Sequence, residues 1–136
     1  ILKKKSKAKI IYKNMPTVKG SKTLLKQLFQ NLIINSIRFK KEKENPIINI
    51  LCVKKENFFE ISLTDNGVGI DNKINGKIFD SFFSKNKKKD LGNGLGLAIC
   101  KKIVNGYDGV ITAKNNKESG TTFEIKFPNE MLIEKE

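Results

Sequence analysis

The chain has 136 residues, of which 38% are hydrophobic and 30% are charged, and this composition fits one globular domain with one core. No run of about 18 apolar residues occurs, so we expect no segment to cross a bilayer and no membrane contact by this domain. Basic residues number 27 against 14 acidic ones, a formal net charge of +13 that is also found in nucleic-acid-binding domains. The charges are scattered lysines with one arginine, Arg38, and no aromatic residues interleave with them, so we expect no nucleic acid as a partner.

Cys52 and Cys100 have no CxxC partner and lie among apolar residues, which is typical of buried small side chains in a reducing compartment. The sequence contains no histidine, so no imidazole can act as a base, a metal ligand or a phosphate acceptor. Because Ile1 rather than Met begins the chain, we expect a piece of a longer protein. We expect residues 1–136 to form a single domain, with a core over about 8–128 and a polar tail over 129–136.

The first predicted elements are a strand and a long helix. An apolar run over 8–13 indicates the strand, and Ser21 offers an N-cap for a helix over 22–39. Asn31, Asn35 and Arg38 are spaced i, i+4 and i+7 and form a polar stripe on that helix. The apolar residues of the helix fall on a separate arc, and they are Leu25, Leu28, Phe29, Leu32, Ile33 and Ile37.

The rest of the chain predicts two hairpins and a second helix. The runs 47–54 and 58–64 are rich in β-branched and aromatic residues and indicate the first hairpin. A second helix is predicted from Gly94 to about Asn105, and a second hairpin over 109–114 and 121–127. The order β, α, ββ, loop, α, ββ predicts an α+β fold, a two-layer α/β sandwich with a mixed, mostly antiparallel sheet and its helices on one face.

The segment DNGVGI, from Asp65 to Ile70, directly follows a predicted strand. Its carboxylate is a fixed acceptor, and its glycines allow a ligand to approach the backbone closely. A plain turn and a calcium loop are the alternatives. A calcium loop needs further oxygen ligands at alternate positions and a closing glutamate, and Asp71 and Asn72 do not supply that pattern.

The segment GNGLGLAI, over 92–99, is a glycine-rich loop that opens a helix. Main-chain N–H groups and the helix dipole at such a start favour an anion, although a flexible turn is the alternative. The spacing is neither that of a Rossmann fingerprint nor that of a Walker loop. Asn31 and Asn35 lie one helical turn apart; they are either a solvated face or capping amides, or they are ligands, because amide oxygens suit Mg²⁺.

Five segments occur in order along the chain: NLIINSIRF, DNGVGI, IFDSFF, GNGLGLAI and GTTF. They resemble the N, G1, F, G2 and G3 boxes of the catalytic ATP-binding domain of sensor histidine kinases. That domain has a Bergerat-type fold and belongs to a superfamily shared with DNA gyrase, the mismatch-repair ATPases and the ninety-kilodalton heat-shock chaperone. The resemblance covers about residues 8–128 and implies ATP and Mg²⁺ as cofactors.

The resemblance implies a role for each residue that matches a box. Asn35 is expected to coordinate Mg²⁺, with Asn31 supporting the metal and the phosphates. Arg38 stands where the family has a basic residue that touches phosphate, and Phe39 where it has an aromatic residue that packs on adenine. Asp65 is expected to accept a hydrogen bond from the adenine amino group, worth about 1.5–3 kcal/mol, and to reject the guanine carbonyl.

The same resemblance assigns the remaining pocket residues. Gly67, Gly69 and Ile70 are expected to carry the loop past the base, and Thr121 to join the Asp65 end of the pocket through a water. The residues expected to cradle the phosphates are Gly92, Gly94, Leu95, Gly96 and Leu97.

The resemblance makes residues 84–93 an ATP lid, although a solvated loop is the alternative. Lys85 and Lys87 are the candidate phosphate contacts, because Asn86 stands where the family often has a lysine. The cluster Phe79, Phe82 and Phe83 is expected to anchor the root of this lid or to fill the core.

Asn31 also bears on the reaction. Hydrolysing members of the superfamily carry a general-base glutamate at this position, and an amide cannot take a proton at neutral pH. We therefore expect a histidine protein kinase domain that presents the γ-phosphate of ATP to a histidine in a dimerisation domain outside this chain. A response regulator would complete the system, and the isolated domain would not autophosphorylate. An anti-sigma-type serine kinase and a degenerate ATP-binding module are the alternatives. We expect a cytoplasmic location and leave open whether the parent protein is membrane-anchored.

Overall fold

The computed structural model describes residues 7–70, 77–80 and 96–133. The predicted elements are all present in these residues. They are strand β1 (Lys9–Lys13), helix α1 (Lys22–Arg38), strands β2 (Ile47–Lys54) and β3 (Phe58–Asp65), helix α2 (Gly96–Gly106), strands β4 (Val110–Asn115) and β5 (Thr121–Pro128), and a 3₁₀ turn (Asn129–Met131).

The strands form one mixed sheet in the order β1-β2-β3-β5-β4. β1 runs parallel to β2, and the other neighbours are antiparallel, as the sequence predicted. β3 is the central strand, so its last residue, Asp65, lies at the middle of one edge of the sheet.

Helix α1 begins where the sequence predicts. The Ser21 side chain accepts a hydrogen bond from the main-chain N of Leu24 at 3.2 Å, which satisfies one N–H of the first turn. At the other end the main-chain N of Phe39 donates to the carbonyl of Asn35. Neither helix in the described part of the chain is long and apolar enough to span a membrane.

One face of the sheet carries the core, because alternate side chains of each strand point to the same side. The strands bury the core residues Ile48, Ile50, Cys52, Phe59, Ile61, Leu63, Phe123, Ile125 and Phe127. Leu28 and Leu32 of α1 and Cys100, Ile103 and Val104 of α2 belong to the same cluster. Both helices therefore cover this face, which confirms the predicted two-layer arrangement.

The expectation of a polar tail after residue 128 is wrong for residues 129–133. Met131 is buried, and its carbonyl accepts from the main-chain N of Lys19 at 2.7 Å. Leu132 forms an antiparallel bridge with Val18. The charged residues of this segment suggested solvation, but its apolar side chains contribute more by packing against the open end of the sheet.

Candidate functional site

Asp65 ends the central strand on the face that the helices cover, and only 7% of the residue is exposed. Its Oδ1 accepts from the main-chain N of Gly67 at 2.9 Å and of Thr121 at 3.1 Å. Its Oδ2 accepts from the hydroxyl of Ser36 at 2.9 Å. These three donors are neutral, and an ionised carboxylate offers about four acceptor positions, so Oδ2 retains capacity for one more hydrogen bond.

Ser36 is a site residue that the sequence analysis missed. It is 2% exposed and continues the buried stripe of α1 from Leu28 and Leu32 at intervals of one helical turn. A hydroxyl on a stripe that is otherwise apolar needs a partner, because burying it unpaired is unfavourable. That signal was available in the sequence, although the identity of the partner, Asp65, was not.

The loop after β3 packs against the end of helix α1. The main-chain N of Val68 donates to the carbonyl of Phe39 at 3.0 Å. A Cβ on Gly67 would lie 2.5 Å from that same carbonyl oxygen, so a larger residue does not fit. The close approach predicted for this loop therefore occurs, and at Gly67 it is directed toward the main chain of α1.

The start of β5 closes the other side of Asp65. Gly120 has a φ of +89°, and a Cβ on it would lie 2.0 Å from the main-chain oxygen of Asp65. This approach brings the main-chain N of Thr121 to the carboxylate. We expected Thr121 to join this end of the pocket through a water, and the structure adds a direct main-chain hydrogen bond to Asp65.

Two consecutive asparagines at the end of β4 hold the loop that begins at Asp65, and the sequence analysis did not single them out. The side chain of Asn115 pairs with the main chain of Ile70. The Nδ2 of Asn116 donates to the main-chain oxygen of Asp65 at 3.0 Å, and its Oδ1 accepts from the hydroxyl of Thr122.

The predicted amide stripe meets the start of helix α2. Asn31 and Asn35 are both partly buried. A Cβ on Gly96, the first residue of α2, would lie 4.0 Å from the side chain of Asn31. Within the described residues, the buried Nδ2 of Asn31 has no hydrogen-bond partner. A polar ligand between the two helices would satisfy this donor.

The other predicted site residues divide into two groups. Arg38 lies exposed at the end of α1, Phe39 caps that helix, and Leu97 packs against the core from α2. The residues that fall outside the described part of the chain are Lys85, Lys87, Gly92, Gly94 and Leu95, together with Phe82 and Phe83 of the lid.

A metal ion in this site would depend on amide oxygens. Among residues 7–70, 77–80 and 96–133, no group of three or more His, Cys, Asp or Glu side chains could hold a metal. Asn31 and Asn35 supply hard oxygen atoms, which suit Mg²⁺ when phosphate and water oxygens complete its shell. The donor set therefore fits Mg²⁺ that arrives with a phosphate ligand.

Residues 20–131 match the family described as histidine kinase-, DNA gyrase B-, and HSP90-like ATPase. The chain belongs to this family. It is 40% identical over 122 residues to cyanobacterial phytochrome A of Nostoc sp. (strain PCC 7120), a match that covers 89% of this chain and 16% of the phytochrome. This member of the family thus spans about a sixth of the length of that curated relative.

Solved structures give the same result. The catalytic domain of histidine kinase ThkA is 28% identical, with a TM-score of 0.76 and coverage of 93% of this chain and 84% of that one. ThkA in complex with response regulator protein TrrA matches at 27% identity and a TM-score of 0.72, over 93% of this chain and 36% of that one. The resemblance to the ATP-binding catalytic domain of sensor histidine kinases is confirmed, and so is the fold predicted from it.

Proposed function

We propose that the chain binds ATP through a hydrogen bond from the adenine amino group to Oδ2 of Asp65. The observation that supports this most strongly is the buried carboxylate with three neutral donors and one remaining acceptor position. An adenine amino group donates into that position, whereas guanine presents a carbonyl oxygen there. The carboxylate therefore favours adenine by about 1.5–3 kcal/mol, the range for a hydrogen bond to a charged group.

The phosphates would lie where α1 and α2 meet. The unpaired Nδ2 of Asn31 is a donor for a phosphate oxygen, and the first turn of α2 adds main-chain N–H groups and the positive end of the helix dipole. Asn35, with Asn31, would hold Mg²⁺ through amide oxygens. When bound, the metal neutralises phosphate charge and orients the γ-phosphate.

We propose phosphoryl transfer rather than hydrolysis as the reaction. Asn31 occupies the position of the general base in hydrolysing relatives, and its amide cannot accept a proton from water. The sequence contains no histidine, so the acceptor histidine would come from a dimerisation domain elsewhere in the parent protein. The complex of ThkA with TrrA supports a response regulator as the next partner. A cytoplasmic location follows from this use of ATP and agrees with two buried free cysteines.

Calorimetric titration tests the binding proposal. We expect ATP to bind with Mg²⁺-dependent affinity and GTP to bind at least about ten-fold more weakly. Asn35→Ala should remove most of the Mg²⁺ dependence, whereas Gln30→Ala, which removes an exposed amide from the same helix, should not. Equal affinity for the two nucleotides would contradict the adenine assignment.

Phosphate chemistry separates the kinase from its alternatives. The isolated chain should release almost no phosphate from ATP, and steady release that Asn35→Ala abolishes would contradict the kinase assignment. Mixed with the histidine-bearing hairpin of its parent, it should form an acid-labile, base-stable phosphohistidine. An acid-stable phosphoserine on a partner would indicate a serine kinase instead, and no phosphoprotein with intact ATP binding would indicate a degenerate module.

A further inference from the structure

Asn115 is the last residue of β4, and its side chain pairs with both main-chain groups of Ile70. The Oδ1 accepts from the Ile70 main-chain N at 2.6 Å, and the Nδ2 donates to the Ile70 main-chain O at 2.6 Å. The carboxamide thus takes the place of a neighbouring strand for one residue. Ile70 is the last residue of the loop that begins at Asp65, so this pair fixes the far end of the loop.

Asn116 holds the near end of the same loop. Its Nδ2 donates to the main-chain oxygen of Asp65 at 3.0 Å and to that of Ser119 at 3.0 Å. Two adjacent side chains of one hairpin therefore bind residues at both ends of the loop. The spacing between Asp65 and Ile70 is set by the rigid register of β4 against β5.

Gly69 connects this clamp to the shape of the loop. It has a φ of +85°, and a Cβ on it would lie 3.0 Å from Oδ1 of Asn115, so the asparagine side chain lies directly over it. The middle of the loop is held separately, by the bond from Val68 to Phe39. If the contact to Asn115 is lost, the segment from Gly69 to Ile70 can move while Asp65 keeps its own donors.

We infer that Asn115 is a positioning residue for the base-binding loop, and that it acts by locking Ile70 and Gly69 in the conformation that accepts adenine. The inference rests on the proposed nucleotide pocket at Asp65. It assigns to the second hairpin a part in base affinity beyond the glycine and threonine of its turn. Removing the side chain should weaken ATP binding about ten-fold, as expected for two lost hydrogen bonds in a binding loop.

The test compares Asn115→Ala with Asn129→Ala. Asn129 also donates to two main-chain oxygens, those of Lys55 and Glu56, but at the opposite end of β3 from Asp65. Both variants remove an asparagine that bonds only main chain among these contacts, so a merely structural effect should lower both unfolding midpoints without changing ATP affinity. We expect Asn115→Ala alone to raise the Kd for ATP and to narrow the preference for ATP over GTP.

Hydrogen exchange gives a second readout. The Ile70 amide should exchange at least about ten-fold faster in Asn115→Ala, with the Gly67 and Thr121 amides unchanged. If the alanine variant does not fold, Asn115→Asp keeps the acceptor for the Ile70 amide and removes the donor to its carbonyl. An ATP Kd within two-fold of the parent in a folded variant overturns the inference alone, whereas no ATP binding by the unchanged chain overturns the proposed function as well.

Discussion

Replacing Gly120 by alanine should damage both the fold and the site. The residue has a φ of +89°, and its new Cβ would lie 2.0 Å from the main-chain oxygen of Asp65, where real contacts stay above 3.0 Å. The positive φ alone costs about 1–3 kcal/mol for a residue with a side chain. Relieving the overlap requires β3 and β5 to separate locally, which adds about 1–3 kcal/mol. We expect a total loss of about 2–6 kcal/mol in the free energy of unfolding.

Urea denaturation measures this loss, and Gly106→Ala is the matched control. Gly106 ends helix α2, and a Cβ there would meet no atom within 4 Å, so its substitution should change stability by no more than about 0.5 kcal/mol. ATP affinity should fall in Gly120→Ala as well, because the hydrogen bond from Thr121 to Asp65 lengthens when the strands separate. Equal unfolding free energies for the two variants would refute the packing of β5 against Asp65.

Two further predictions concern buried polar groups. Ser36→Ala removes a hydrogen bond to a charged acceptor and should destabilise the fold by about 1.5–3 kcal/mol in urea denaturation, whereas Ser62→Ala, on the opposite face of β3, should have little effect; similar losses would refute the assignment. Burial raises the pKa of Cys100 from 9.0 to about 12 and also raises that of Cys52, so neither thiol should react with a maleimide at pH 8 before unfolding. Because the folded pKa of Cys100 lies above the unfolded one, its contribution to stability should be constant below about pH 9 and decline from there to about pH 12, so the parent should lose more stability than Cys100→Ala over that range, and parallel curves would contradict this.

The fold was largely predictable because its elements are locally encoded. In β2 the buried residues Ile48, Ile50 and Cys52 alternate with exposed ones, which indicates a strand with one covered face. Ser21 marks the start of α1 through a bond to a residue three positions later. Such signals require no knowledge of the tertiary structure.

The contacts of the site were less predictable because they join distant segments. Ser36 meets Asp65 across 29 residues, and Asn115 meets Ile70 across 45. These pairings depend on the packing of α1 on the sheet and on the register of β4 with β5, which no short pattern encodes. The docking of Met131 was missed for the same reason, since its partner strand segment lies near residue 19.

The most direct test of the adenine pocket is the affinity of Asp65→Asn for ATP. The amides of Gly67 and Thr121 both donate to Oδ1, so the asparagine oxygen should take that position and its NH₂ group the position of Oδ2. There the amide would present a donor to the donor of the adenine amino group. By calorimetry, with thermal melts to show that the variant is folded, ATP should bind at least about ten-fold more weakly, while GTP should lose less or gain. An unchanged ATP affinity in folded Asp65→Asn would contradict the assignment of this carboxylate to adenine.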